Sequence, residues 1–261
     1  MSYLLEQSLR GVDLVLTGDW STAAREEIEA GRADGLVLNY VRGFREQPID
    51  FVSGLPLRKL DILARSVSDP SPVYSLAPTL EELRVQSDPR ADIELENLPH
   101  LKTLAASWPQ VRSSIMFAPQ IEDLAVPSYS EPDLGPLSGL TSLTSLVMKE
   151  RPRLETLGGV ETFPWLTKLK VLGASGLADI TALGSGRNIA LQAVSLEGCK
   201  RVSDITPLAE LLGLFDLNIG EGGEIPSVGH WNIWRIWSIC TCMTRPRSPT
   251  GISIRLRACR V

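Results

Sequence analysis

The stretch Val202-Ser203-Asp204-Ile205-Thr206-Pro207-Leu208-Ala209-Glu210-Leu211-Leu212-Gly213-Leu214-Phe215-Asp216-Leu217-Asn218-Ile219 decides the fold. It opens with apolar residues at steps of three, Val202, Ile205, Leu208 and Leu211, and closes on Leu214, Leu217 and Ile219, spaced i, i+3, i+5. The residues at i+3 and i+5 point to one side of a short extended segment, and i anchors the way into it. Steps of three suit tight 3₁₀-like or irregular turns. The stretch therefore predicts one turning segment followed by one short strand.

The same triplet recurs at Leu57/Leu60/Ile62, Leu80/Leu83/Val85, Leu101/Leu104/Ala106, Ile121/Leu124/Val126, Leu143/Leu146/Met148, Leu166/Leu169/Val171 and Leu191/Val194/Leu196. Successive starts are 20 to 25 residues apart. Weaker copies at Ala33/Leu36/Leu38 and Leu9/Val12/Leu14 make ten units. A self-similar period of this size is the mark of a stacked repeat. One coil alone buries too little apolar surface to offset the entropy of ordering its backbone, whereas stacking closes a shared interior and lets successive strands pair in parallel. Pro136, Pro207 and Pro226, with Gly135, Gly139 and Gly213, lie outside the triplets, where a missing N–H or an unusual φ does least harm.

L-x-x-L-x-L at about 23 residues resembles a leucine-rich repeat protein over residues 9–229, and Asp204-Ile205-Thr206-Pro207-Leu208 is similar to the D-I-x-P-L segment of internalin-type bacterial repeats. The resemblance implies an α/β solenoid: a curved leucine-rich repeat stack with a parallel concave β-sheet, short or irregular convex segments, and binding of other proteins as its main role. The Asn usual after the strand is replaced by Arg65, Asp88, Pro109, Tyr129, Arg151, Ala174, Cys199 and Gly222, so an irregular turn ladder is expected. Cys199 in Leu196-Glu197-Gly198-Cys199 resembles the cysteine-bearing repeat variant. Internalins are exported surface proteins; the first twenty residues here show no basic and apolar export signal, so their adhesive role is not carried over.

Three segments are expected: residues 1–32 as an N-terminal cap with a first degenerate repeat, 33–229 as the solenoid, and 230–261 as an aberrant, poorly ordered tail. In the first, Ser21-Thr22-Ala23-Ala24-Arg25-Glu26-Glu27-Ile28-Glu29-Ala30-Gly31 places a capping residue first, acids in the early turns and a Gly last, predicting a capping helix at 21–30. Trp20 beside it is expected to plug the core.

The chain of 261 residues holds 26 Lys and Arg against 31 Asp and Glu, a net charge of −5. Six arginines and no acid fall after position 229, so residues 1–229 carry −11. An acidic body argues against nucleic-acid binding, which needs clustered bases against phosphate. No apolar run is long enough to span a membrane, and four cysteines are too few for a disulfide scaffold. A cytoplasmic protein is expected.

The tail reads as another frame. His230-Trp231-Asn232-Ile233-Trp234-Arg235-Ile236-Trp237-Ser238-Ile239-Cys240-Thr241-Cys242 sets Trp or Cys at steps of three, three, three and two. Trp and Cys codons both begin with TG, so a frame starting one base earlier reads NTG, always Leu, Met or Val. Positions 231, 234, 237, 240 and 242 then continue the repeat in register, since Leu214 plus 23 is 237. A single-base deletion near codon 229, natural or a sequencing error, is therefore expected. It also leaves the last coil uncapped, so self-association through that end is expected. As a zinc site, His230, Cys240, Cys242 and Cys259 have spacings that match no common finger or ribbon.

Reactive chemistry is sparse. His100 lies at a repeat junction, no nucleophile elbow or phosphate-binding loop occurs, and Gly220-Glu221-Gly222-Gly223 lacks the following Lys-Ser/Thr. Neither catalysis nor a cofactor is expected. Side chains at i+2, i+4 and i+6 alternate away from the core and should form the partner-binding face. Among them Lys149, Lys168 and Lys170 on adjacent units would make a basic patch, and Arg84 and Gln86 with nearby Trp108 have the composition of an interface anchor. The expected function is a non-catalytic scaffold for an unknown protein partner, or alternatively a regulatory or enzyme-associated subunit whose active region was lost with the C-terminus.

Overall fold

Each i+3/i+5 pair becomes the buried rung of a short strand. The computed structural model describes residues 2–8, 10–45, 48–187 and 190–220, together with the backbone of 254–257. Two units are distinguished, Met1–Ile121 and Glu122–Val261. The first holds β1 (Tyr3–Ser8), β2 (Gly11–Leu16), α1 (Thr22–Glu29), β3 (Gly35–Asn39), β4 (Lys59–Leu63), β5 (Glu82–Gln86), β6 (Thr103–Ala106) and the one-turn α2 (Trp108–Val111). The second holds β7 (Asp123–Pro127), β8 (Ser145–Lys149), β9 (Lys168–Leu172), β10 (Ala193–Glu197), β11 (Asp216–Ile219) and β12 (Ile254–Arg257).

Within the first unit β2 to β6 pair in parallel, so that Leu14, Leu36, Leu60, Leu83 and Leu104 stand opposite one another in turn. In the second, β7 to β11 do the same with Leu124, Leu146, Leu169, Val194 and Leu217. All ten side chains are buried, as are the anchors Leu57, Leu80, Leu101, Leu143, Leu166 and Leu191. A strand whose alternate residues all enter one interior cannot slip by one position without exposing the whole row, which is why the register holds.

Turns lead the chain back from strand to strand, most as short 3₁₀ segments such as Gly135–Leu137, Val160–Thr162, Thr181–Gly184 and Thr206–Glu210. The acid of the D-I-x-P-L segment caps its turn: Asp204 Oδ1 accepts from Thr206 N–H at 2.9 Å and from Thr206 Oγ1 at 2.7 Å, and Asp179 does the same for Thr181. Ile205 and Leu208 then face the core, and Pro207 begins the turn where its missing N–H has no partner to lose.

Four expectations are corrected or sharpened by the coordinates. The first unit's triplet is Gly11/Leu14/Leu16, two residues along from Leu9/Val12/Leu14, because β1 ends at Ser8, the chain turns at Arg10, and β2 starts at Gly11, which carries the positive φ of 139°. That turn exists because β1 pairs antiparallel with β2, a hairpin that the repeat period does not announce. Helix α1 forms at Thr22–Glu29, with Ser21 Oγ accepting from Ala24 N–H, but Trp20 is only half-buried. It stacks on Phe51 at 4.7 Å between centroids, while Phe44 is the ring that fills the interior. Finally, the place of the missing Asn is turned inward at Tyr129, Ala174 and Cys199, whereas Arg65 and Arg151 face solvent. Cys199 Sγ donates to Val171 O at 3.7 Å, and Tyr129 Oη donates to Asp133 O at 2.7 Å.

The frame-shifted reading of 230–261, its disorder and its zinc alternative lie outside the described residues. The exception is the backbone of β12, which pairs antiparallel with β11. No helix among the described residues is long and apolar enough to cross a membrane.

Candidate protein-binding face

Period two sends the residues between the buried rungs outward, giving each unit an open face of strand side chains. In the first unit that face is satisfied from within. Lys59 Nζ meets Asp13 Oδ2 at 2.5 Å. Glu82, whose side chain is 6% exposed, accepts from Arg84 Nε at 2.9 Å and from Arg10 Nη1 at 3.2 Å. Arg10 also donates to Thr103 Oγ1 at 2.9 Å. Asp61, half-buried two residues along β4 from Lys59, has its carboxyl raised above the ordinary range by burial, an effect partly offset by Arg84 and Lys59.

Arg84 is therefore an exposed side chain already engaged by Glu82, and Gln86 stands exposed at the end of β5. Trp108 is not at the surface. It is 2% exposed, because Ser107 ends the extended run and α2 begins at Trp108, turning the ring into the core. The expected anchor of Arg84 and Trp108 is thus undone: one residue is tied, the other interior.

The second unit differs. Its open face carries Asp123, Ser145, Lys168, Ala193 and Asp216 in one row and Ala125, Val147, Lys170, Ser195 and Asn218 in the next. Lys149 ends β8, one step beyond the Met148–Val171 pair. The structure thus brings Lys149, Lys168 and Lys170 together on β8 and β9, as expected, and among the described residues none of the three makes an ion pair. Glu197 on β10 is held by neutral donors, Ser195 Oγ at 3.0 Å and Asn218 Nδ2 at 2.6 Å. Trp165, in the loop leading into β9, is 64% exposed. Sequence reasoning passed it over because it precedes the buried Leu166 and looks like part of the repeat.

His100 is exposed and lines an open cleft of about 560 Å³ in the first unit with Arg58, Pro78, Glu81, Pro99 and Gln120. Arg58 Nη2 lies 2.8 Å from Glu81 Oε2 and holds that carboxyl below its usual range. The cleft holds ion-paired and turn-supporting groups, not a nucleophile beside a base. Among the described residues no group of three His, Cys, Asp or Glu could hold a metal ion.

Parallel one-strand coils of 20 to 25 residues, an internal leucine ladder and Asp-capped return turns define a leucine-rich repeat fold, with turns similar to the internalin type. No family model and no curated protein matches the chain. Among solved structures it is similar to an internalin (inlF) from Listeria monocytogenes, at 18% identity and a TM-score of 0.46, covering 80% of this chain and 64% of that one. It is similar also to internalin C2 of the same organism, at 19% identity and a TM-score of 0.44, covering 79% and 80%. A leucine-rich repeat protein of Leptospira interrogans matches at 13% identity and a TM-score of 0.44, covering 81% and 72%. The chain thus spans just under two thirds of the first of these, and the likenesses concern the fold alone.

Proposed function

We propose that this chain is a non-catalytic protein-interaction scaffold that engages its partner through the open face of its strands. The observation that carries this reading is the contrast between the two faces: in the first unit the cations Arg10, Lys59 and Arg84 are paired with Asp13 and Glu82, whereas Lys149, Lys168 and Lys170 in the second are left unmatched among the described residues. Desolvating an unmatched charge costs free energy unless a partner completes it, so such a cluster on a rigid sheet selects for a complementary surface. Strands fixed by a leucine ladder present these side chains with little conformational freedom left to lose on binding.

The test is site-specific photocrosslinking in the host cell, with the reactive residue placed at Ser145 or Ser195 on the open face and at Thr162 or Glu210 on the return turns. Discrete adducts from the first pair and none from the second are expected. Adducts confined to the turn positions would refute the reading.

A further inference from the structure

Resting on that reading, we propose that the partner lays an extended acidic segment, with carboxylates at alternate residues, along β8 and β9. Lys168 and Lys170 are two residues apart on one strand, an interval of about 7 Å at the rise of a β-strand. Lys149 lies a further two residues along and one strand over. The three lysine positions therefore advance two residues at a time, the third displaced sideways by one strand spacing of about 4.8 Å. An extended peptide projects side chains from one face at that same interval, so Asp or Glu at alternate positions meets the lysines in register.

The surroundings suit a chain lying in this place. Ser145 and Ala193 flank Lys168, and Val147 and Ser195 flank Lys170, so every lysine on β9 stands between short side chains. Glu197 is oriented by Ser195 and Asn218, and neither it nor Asp123 and Asp216, which share the Lys168 row two strands away on either side, makes an ion pair with these lysines among the described residues. Trp165, three residues before Lys168 in the chain, is exposed as well. A nucleic-acid strand also repeats its charge, but a body carrying −11 over residues 1–229 repels a polyanion at long range, whereas a short acidic segment with few charges is repelled far less.

The experiment titrates the full chain with three probes at low salt: a peptide alternating Asp with Thr, a peptide of the same composition with its acids contiguous, and an oligothymidylate. Binding is read by calorimetry and repeated with Lys168→Glu/Lys170→Glu and with Lys149→Glu, whose thermal melts should match the parent. The alternating peptide should bind best, weaken with added salt, and lose about tenfold or more in affinity in the charge-reversed chain. Equal binding to parent and charge-reversed chains, equal binding of both peptides, tighter binding of the oligonucleotide, or no peptide binding at all would overturn the proposal. Crosslinks from Ser145 and Ser195 without peptide binding would sink the acidic segment and leave the scaffold reading standing.

Discussion

Lys59 and Asp13 lie on strands that are not neighbours, yet their Nζ and Oδ2 atoms meet at 2.5 Å across β3. They can do so because the residue between them in the row is Gly35, opposite Asp13 on one side and Lys59 on the other. A Cβ at Gly35 would collide with Asp13 Oδ1. Replacing Gly35 by Ala should therefore separate the ion pair and destabilise the first unit by about 1–3 kcal/mol, the range between an exposed and a buried pair. Denaturant midpoints of Gly35→Ala, Lys59→Met and the double variant check this. A double variant no worse than Gly35→Ala alone is the expected result, since both changes break one contact.

Tyr129 fills the place where an Asn is usual, fully buried, with its hydroxyl donating to Asp133 O. Tyr129→Phe should cost about 1 kcal/mol, the net worth of one hydrogen bond, with the packing kept. Burial raises the phenol above its ordinary 10.0, so the stability it confers is present below pH 10 and is lost only as pH rises towards the raised value. Tyrosinate absorbance should show this group ionising together with unfolding.

Cys199 is 1% exposed, and burial pushes its thiol up from 9.0 to about 11. Its contribution to stability is complete below pH 9 and is lost as pH rises through about 11. In a background with Cys240, Cys242 and Cys259 replaced by Ser, a thiol-specific reagent at neutral pH should label the native chain only at the rate at which this coil opens. Labelling as fast as in denaturant would contradict it.

The turn caps work in the opposite direction. Hydrogen bonds from Thr181 and Thr206 hold Asp179 and Asp204 below the ordinary 3.8. Their support is present above that value and fades as pH falls through the depressed one. Asp204→Ala should speed amide exchange at Thr206 while leaving the amides of β10 unchanged.

The frame-shifted reading of residues 230–261 has its own check. Resequencing the locus should recover a base near codon 229 and an open frame with Leu, Met or Val at positions 231, 234, 237, 240 and 242. The restored chain should then unfold at a higher temperature, because each added coil contributes an interface to its neighbour. An early stop in that frame would end the reading.

The sequence by itself determined the coil. The i, i+3, i+5 triplet is a local geometric pattern, and a strand with one buried side has few ways to satisfy it; hence the ladder from Leu36 to Leu104 in one unit, that from Leu124 to Leu217 in the other, and the meeting of Lys149, Lys168 and Lys170 were legible in advance. Phase was less secure wherever period two allows a slip of two residues, as at Leu14, since such a slip keeps every side chain on its own side. Only the tertiary structure decided which polar residues are spoken for. Trp108 went inward because a helical turn starts there, Arg84 was tied by a Glu two residues away, and Arg10 reached Glu82 from 72 residues off. Burial and charge matching depend on neighbours brought together by stacking, at distances along the chain that no local period encodes.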